Sequence, residues 1–372
     1  MSQNLERALK LIEESFQLDD GDEQISVAEN AVREADLSGH LETQYRAREQ
    51  FVRACVFGGE TDRALVAFAW LLAKFDQNPG RFSEWNILWK YKWILGLICE
   101  FPQISRVKIF EMLDDLAERS LRAGFGLRAT YTHRYRIEKF WDNRTAAIEN
   151  FRIMHELPID DLANCPACEM DETVGFAIYC GMNEQAVALA QPILNGSQKC
   201  RTVPHRTYAN LLLPMVQMGR QNEGLDFHRA GYRLISNNKD NLDKISDHLL
   251  FMALTENFAP GTRMFEKHFP WSEQNRNMAD RFRFFRAAWF LFDVLAERGK
   301  ETVELRLPDS FPEHSTENCY DPTQLANWFK RQAETLARLF DERNETDFFS
   351  RTLTETPALK RLCAPFPLGP ID

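Results

Sequence analysis

The segment NCPACEM (164–170) places two thiols, Cys165 and Cys168, at C-x-x-C spacing. Such a pair forms a redox couple or supplies half of a metal site. A redox pair normally opens a helix inside a strand–helix–strand unit, and strand signals are nearly absent from this chain. A zinc site needs four ligands, so a second pair must come from elsewhere. Downstream, KCRTVPH carries Cys200 and His205, giving C-x2-C…C-x4-H. Cys165 to Cys200 is 35 residues and Cys168 to His205 is 37. Both separations match the local repeat described below, so each pair stands at the start of one of two consecutive helical hairpins. The expectation is one structural zinc held by Cys165, Cys168, Cys200 and His205, with His155 and Cys180 as substitutes for the histidine. Four protein ligands leave no open position for water, and no H-E-x-x-H spacing supplies a general base.

Other chemistry is sparse. There is no glycine-rich phosphate loop, no G-x-G-x-x-G and no G-x-S-x-G. Acidic runs such as LDDGDE (18–23) and MLDDLAE (112–118) read as solvated faces. His133 and His228 are lone histidines in helical surroundings and read as packing or surface residues. Two clusters suit binding. WNILWKYKW (85–93) sets Trp85, Trp89 and Trp93 on one helical stripe, read as core, with Lys90 and Lys92 pointing elsewhere. RATYTHRYRIEKFW (128–141) mixes Arg128, Tyr131, Arg134, Tyr135 and Arg136. With Lys92, and with Arg46 and Arg53 of an earlier segment, Arg128, Tyr131, Tyr135 and Arg136 are the expected lining of a binding groove. Arg pairs with carboxylates through two parallel hydrogen bonds, so the expected partner is an acidic peptide or a protein terminus.

These residues must be positioned by helices. Apolar residues recur at i, i+3, i+4 and i+7 along most of the chain, as at Leu65, Phe68, Ala69 and Leu72. The clearest unit is 44–75: a helix, the turn Gly58-Gly59, then a helix with Ala64 and Phe68 four apart. The frame returns at 168–194 with Gly181, Ala186 and Ala190, and at 206–235 with Gly219, Gly224 and His228. In each, a small residue follows the turn glycine by five. The glycine takes the backbone angle that ends one helix, and the small residue lets the next approach closely. Weaker turns fall near Phe101-Pro102, Trp141-Asp142 and Asn257, giving a period of roughly 38–42 residues.

The glycine turn, Ala and Phe positions of 44–75 resemble the tetratricopeptide repeat superfamily. The repeats are longer here, and the small residue at the eighth position is replaced by Val52, Val174 and Leu212. The resemblance covers about 40–270 and implies an all-α, right-handed superhelix of stacked helical hairpins with a concave binding face. The expected organisation is a helical cap at 1–40, hairpin repeats at 41–272, and C-terminal helices with a cap at 273–372. In that last part RFRFFRAAWFLFDVLAERG reads as one long helix stopped by Gly299, with its Phe residues facing core. ETVELRLP reads as a short strand or extended segment, and 308–322 as a loop. Asp321-Pro322 reads as the start of a helix reaching Asn344. The tail APFPLGPID is expected to be pinned or loose.

Composition bounds the function. The chain has 372 residues, 44% hydrophobic and 12% aromatic, which is enough apolar surface for a folded core. A net charge of −10 disfavours general nucleic-acid binding. No run of 18 apolar residues suggests a membrane span, and the N-terminal segment reads as an amphipathic helix rather than a signal peptide. The 8 cysteines are scattered, so the expected compartment is the reducing cytoplasm. The functional expectation is a non-enzymatic scaffold that binds a protein or peptide and is braced by zinc. A peptide-sensing regulator is the alternative, and a zinc-dependent enzyme the third; an open fourth ligand position would favour that third class.

Overall fold

The computed structural model describes residues 3–368, and the last four residues of the expected tail lie outside them. Among the described residues the regular elements are helices apart from one pair of two-residue strands. They divide into two compact units, 1–163 with 238–240, and 164–237 with 241–372. The division falls inside the stretch 41–272 that the sequence reads as one array. The 1–40 segment joins the first unit, and the C-terminal helices share the second unit with the hairpins before them.

The first unit contains α1 (Gln3–Gln17), α2 (Asp22–Ser38), α3 (Leu41–Phe57), α4 (Thr61–Gln77), α5 (Glu84–Leu97), α6 (Arg106–Arg122), α7 (Arg128–Phe140) and α8 (Arg144–Glu156). The second contains α9 (Pro166–Tyr179), α10 (Asn183–Leu194), α11 (His205–Gln217), α12 (Gln221–Ile235), α13 (Leu242–Leu254), α14 (Phe258–Gln274) and α15 (Met278–Glu297). It continues with β1 (Val303–Glu304), β2 (Cys319–Tyr320), α16 (Pro322–Asn344) and α17 (Phe348–Glu355). Helical periodicity decides which face is buried: α6, for example, buries Ile109, Leu113, Leu116 and Ser120 and leaves its charges outside. Neighbouring helices pair as hairpins. In addition, each odd-numbered helix packs on the next odd one, α1 to α3 to α5 to α7 in the first unit and α9 to α11 to α13 to α15 in the second.

The turn frame holds, and it extends further than glycine alone reveals. Gly59, Gly181 and Gly219 have φ of 80°, 77° and 71°. At two of the three weaker turns the same left-handed position is filled by Asp142 (φ 56°) and Glu256 (φ 53°), whereas at Phe101-Pro102 the chain leaves a 3-10 turn with Phe101 extended at φ −113° and departs from the frame. In all five, the next residue's N–H reaches back to a carbonyl in the last turn of the helix: Glu60 to Cys55, Asn143 to Glu138, Met182 to Ala177, Arg220 to Met215 and Asn257 to Met252. Five residues after each turn stands a small residue, Ala64, Ala147, Ala186, Gly224 or Gly261, the three alanines fully buried. A Cβ on Gly224 would lie 3.0 Å from Phe251 Cε2 and 3.1 Å from Met215 Cβ, so α12 can approach α11 and α13 only without one. Gly181→Ala is expected to cost about 1 kcal/mol from the backbone angle alone. Gly224→Val, which must displace a ring, is expected to cost about 1–3 kcal/mol. Urea unfolding of the two variants checks the difference.

The expected tryptophan stripe needs correction. Ile87, Leu88, Tyr91, Ile94 and Leu95 form the buried face of α5, while Trp85 is 45% exposed and Trp89 and Trp93 are half-buried. Trp85 and Trp89 instead donate their indole N–H groups to the Asp161 carbonyl, at 3.1 and 3.3 Å. Lys90 and Lys92, expected to point away, are buried. Ile, Leu and Tyr91 side chains fill the interhelical space, Trp89 and Trp93 pack against its margin, and Trp85 and Trp89 also clamp the segment after α8.

The C-terminal expectations are met more closely. Asp321 accepts a hydrogen bond from Thr323 N at 2.7 Å and caps α16, with Pro322 at its first position. β1 pairs antiparallel with β2, Val303 opposite Tyr320. Phe282, Phe284 and Phe285 are buried, as the RFRFFR reading required. Phe329 lies at the centre of an aromatic cluster with Phe265, Phe269, Phe285, Phe292, Phe311 and Trp328. The described part of the tail, 364–368, is pinned: Ala364 N and Phe366 N donate to the carbonyls of Leu254 and Thr255 at the end of α13, both at 3.0 Å. No helix among the described residues is long and apolar enough to cross a membrane.

Candidate metal centre

Cys165 is the N-cap of α9, Pro166 opens that helix, and Cys168 follows in its first turn. Cys200 lies in the loop between α10 and α11, where its N–H donates to the Val203 carbonyl at 3.0 Å. Because α9 and α11 pack together, their leading ends are neighbours. The sulfurs of Cys165, Cys168 and Cys200 all lie within 4.8 Å of one another, and Cys168 Sγ is 3.3 Å from Cys200 Sγ. Tetrahedral zinc with Zn–S near 2.3 Å needs sulfurs about 3.8 Å apart, so small side-chain adjustments suffice.

The electrostatics of the cluster also suit a metal. Burial and the neighbouring Cys200 push the Cys168 thiol upward. Burial acts the same way on Cys200, but hydrogen bonds from Cys168, from the Thr202 backbone and hydroxyl, and from Cys165 outweigh it and draw Cys200 below the usual thiol value. The two sulfurs are 3.3 Å apart, close enough for their titrations to be coupled, and a cation bound between them would displace their protons. Cys55, by contrast, is a lone buried thiol pushed up to about 12 by desolvation, and behaves as a small hydrophobe.

His205 does not join the three thiols. It is the first residue of α11, and after burial the charges acting on it are Arg206, Asp243, Asp171 and Lys244. The turn at 200–203 brings the Cys200 sulfur back toward α9, whereas His205 has already entered the helix. Burial lowers its pKa to about 4. The substitutes fail as well. Cys180 caps the far end of α9, about 20 Å along a helix of this length. His155 is exposed on α8, its ring against Phe151. The convergent set among the described residues is thus Cys165, Cys168 and Cys200.

The expected groove residues are also redistributed. Lys92 is buried, donates to the Leu162 carbonyl and lies 3.6 Å over the Trp89 ring. Arg128 is buried and donates to the carbonyls of Met154 at 2.6 Å and Leu157 at 2.8 Å, closing the end of α8. Tyr135 is fully buried against Phe151. These three are structural and leave the groove list. Arg46 is exposed, and Arg53, Tyr131 and Arg136 are half-buried. Arg53 stacks 5.6 Å over Phe16.

A charged row that the sequence reading missed lies in the second unit. Arg206 on α11 approaches Asp171 of α9 at 3.6 Å, and Asp171 accepts from Thr207 at 2.6 Å. On α13, Lys244 pairs with Asp243 at 3.1 Å and reaches Asn210 of α11 at 3.0 Å. On α15, Arg283 pairs with Asp280 at 3.0 Å, and Arg286 donates to Thr356 at 2.9 Å. Crowding by these helices pushes the Asp247 carboxyl up to about 6, against the pull of Lys244, although the side chain remains 42% exposed. The available signal was charge at positions of the first helices whose neighbours are apolar, as in DHLLFMAL and RFRFFR. Neither protein-family models nor curated proteins give a match to this chain.

Proposed function

We propose that this chain is a non-enzymatic, tetratricopeptide-like scaffold. It binds a protein or peptide along the face made by successive odd-numbered helices, and a zinc–thiolate centre braces the second unit. One observation carries the binding reading: Asp247 is crowded by its neighbours yet open to water, the condition of a side chain on a concave face. Arg206 on α11, Asp243 and Lys244 beside Asp247 on α13, and Arg283 and Arg286 on α15 extend the row over three successive odd-numbered helices. Arginine forks there suit carboxylates on the partner, and Asp243 and Asp247 suit its cations. Stacking in the manner of a right-handed superhelix is part of this proposal. The zinc ties the start of α9 to the loop before α11, so the angle between two hairpins is held by metal as well as by packing.

Affinity capture from the source cell tests the binding reading. Wild type is expected to retain a partner that Arg283→Glu loses at least tenfold, with Arg46→Glu/Arg136→Glu as a comparison in the first unit and circular dichroism as the folding control. Equal recovery with Arg283→Glu overturns the second-unit face, and no partner with any form overturns the scaffold. The zinc-dependent enzyme is the reading that a specific observation favours next: three protein thiols, rather than four ligands, is the number that zinc sites with an open position keep.

A further inference from the structure

We infer that the Cys165–Cys168–Cys200 centre takes its fourth ligand from outside the chain and that this ligand is a thiolate. The inference rests on reading the three cysteines as metal ligands. Among the described residues no His, Cys, Asp or Glu joins the three sulfurs at the same spacing. His205, the first sequence candidate, stands outside that set, as do the substitutes His155 and Cys180. A metal held there has three sulfurs on the protein side and an approach past Cys165, the exposed member of the set.

Softness and charge select the incoming group. Three thiolates make a soft site that favours a further sulfur over an oxygen donor. Zinc with three thiolates carries a net charge of −1, and a fourth gives the −2 of the common four-cysteine site. The surroundings accept that charge. The thiols of Cys165 and Cys168 stand at the N-terminus of α9, whose free N–H groups and dipole would favour the anionic charge of a metal–thiolate centre there. The Arg206 guanidinium is close enough for its charge to couple to Cys168. Thr202 Oγ1 stands 3.7 Å from both Cys168 and Cys200, a hydroxyl placed to donate to sulfur. Binding involves no redox change: the thiol gives its proton to solvent, and the sulfur lone pair forms the new bond to the metal.

Cobalt(II) loaded into the full-length chain supplies the test, because thiolate-to-cobalt charge-transfer absorption grows with the number of sulfur ligands. Titration with 2-mercaptoethanol is expected to raise that absorption by about one third, from three sulfurs to four, while ethylene glycol, its oxygen counterpart, leaves it unchanged. Cobalt bound with a three-sulfur spectrum that 2-mercaptoethanol does not alter overturns the thiolate inference and leaves the metal centre standing. A starting spectrum that His205→Gln changes makes the histidine the fourth ligand and also overturns it. A four-sulfur spectrum before any thiol is added, together with a doubled mass, upholds the inference and assigns the thiolate to a second copy of the chain. Failure to bind cobalt overturns the metal reading itself, and the inference with it.

Discussion

Phe329→Ala is expected to destabilise the second unit by about 3–5 kcal/mol, the range for deleting a fully buried aromatic side chain. At about 2–4 °C per kcal/mol for a unit of this size, the melting temperature falls by roughly 10 °C. The ring is fully buried, and its partners come from α14 (Phe265, Phe269), α15 (Phe285, Phe292), α16 (Trp328) and the 308–322 loop (Phe311). Rings contributed by separate elements cannot all close over the lost volume, so a cavity remains. Leu339→Ala, on the same helix but 42% exposed, is expected to cost far less. Calorimetry of the two variants checks the account, and equal losses would contradict it.

The second large effect is acid lability of the same unit. His228 and His248 are buried with Nδ1 atoms 3.0 Å apart, so one ring donates and the other, which must be neutral, accepts; burial favours the neutral form of both. Tyr232 stacks on His228 and hydrogen-bonds His268 Nε2 at 2.9 Å. Burial, with Arg229 beside it, lowers His228 to about 4. Burial and the charge of Lys267 lower His268 to about 3. Burial, His228 and Lys244 hold His248 well below the usual histidine value. Each folded-state pKa lies below the unfolded value near 6.5, so the unfolded chain binds more protons as pH falls. The stability is fully present above about pH 6.5 and is lost progressively toward pH 4, on the order of 3 kcal/mol from His228 alone. Urea midpoints between pH 7 and pH 4.5 are expected to drop steeply in wild type. His228→Gln/His248→Gln should be less stable at pH 7 and show a flatter slope, and an unchanged slope would contradict the origin assigned here.

Local chemistry made much of this molecule legible from sequence. Gly59, Gly181 and Gly219 announced their turns because only glycine takes the left-handed angle without cost. Asp142 and Glu256 hold the same angle and left only the weaker signal of the break itself. Asp321-Pro322 predicted a helix start because capping is decided within a few residues. The three thiols were legible because their separation matches the hairpin period, and helix packing converts that period into proximity. Side-chain direction was less accessible. His205 has a ligand's identity and spacing, but one turn of loop decides which way it faces. Lys92, Arg128 and Tyr135 look like groove residues by type, yet each has a buried partner, Leu162, Met154 or Phe151, from a segment distant in sequence. Long-range partners of this kind are set by packing, which periodicity does not encode. The charged row from Arg206 to Arg286 was missed for the same reason.

The most direct measurement is the metal content of the purified chain, by elemental analysis and native mass spectrometry, for wild type, Cys168→Ser and His205→Gln. The expected result is about one zinc per chain in wild type and in His205→Gln, and none in Cys168→Ser. Metal-free wild type, or zinc that survives loss of Cys168, would contradict the thiolate centre on which this account rests.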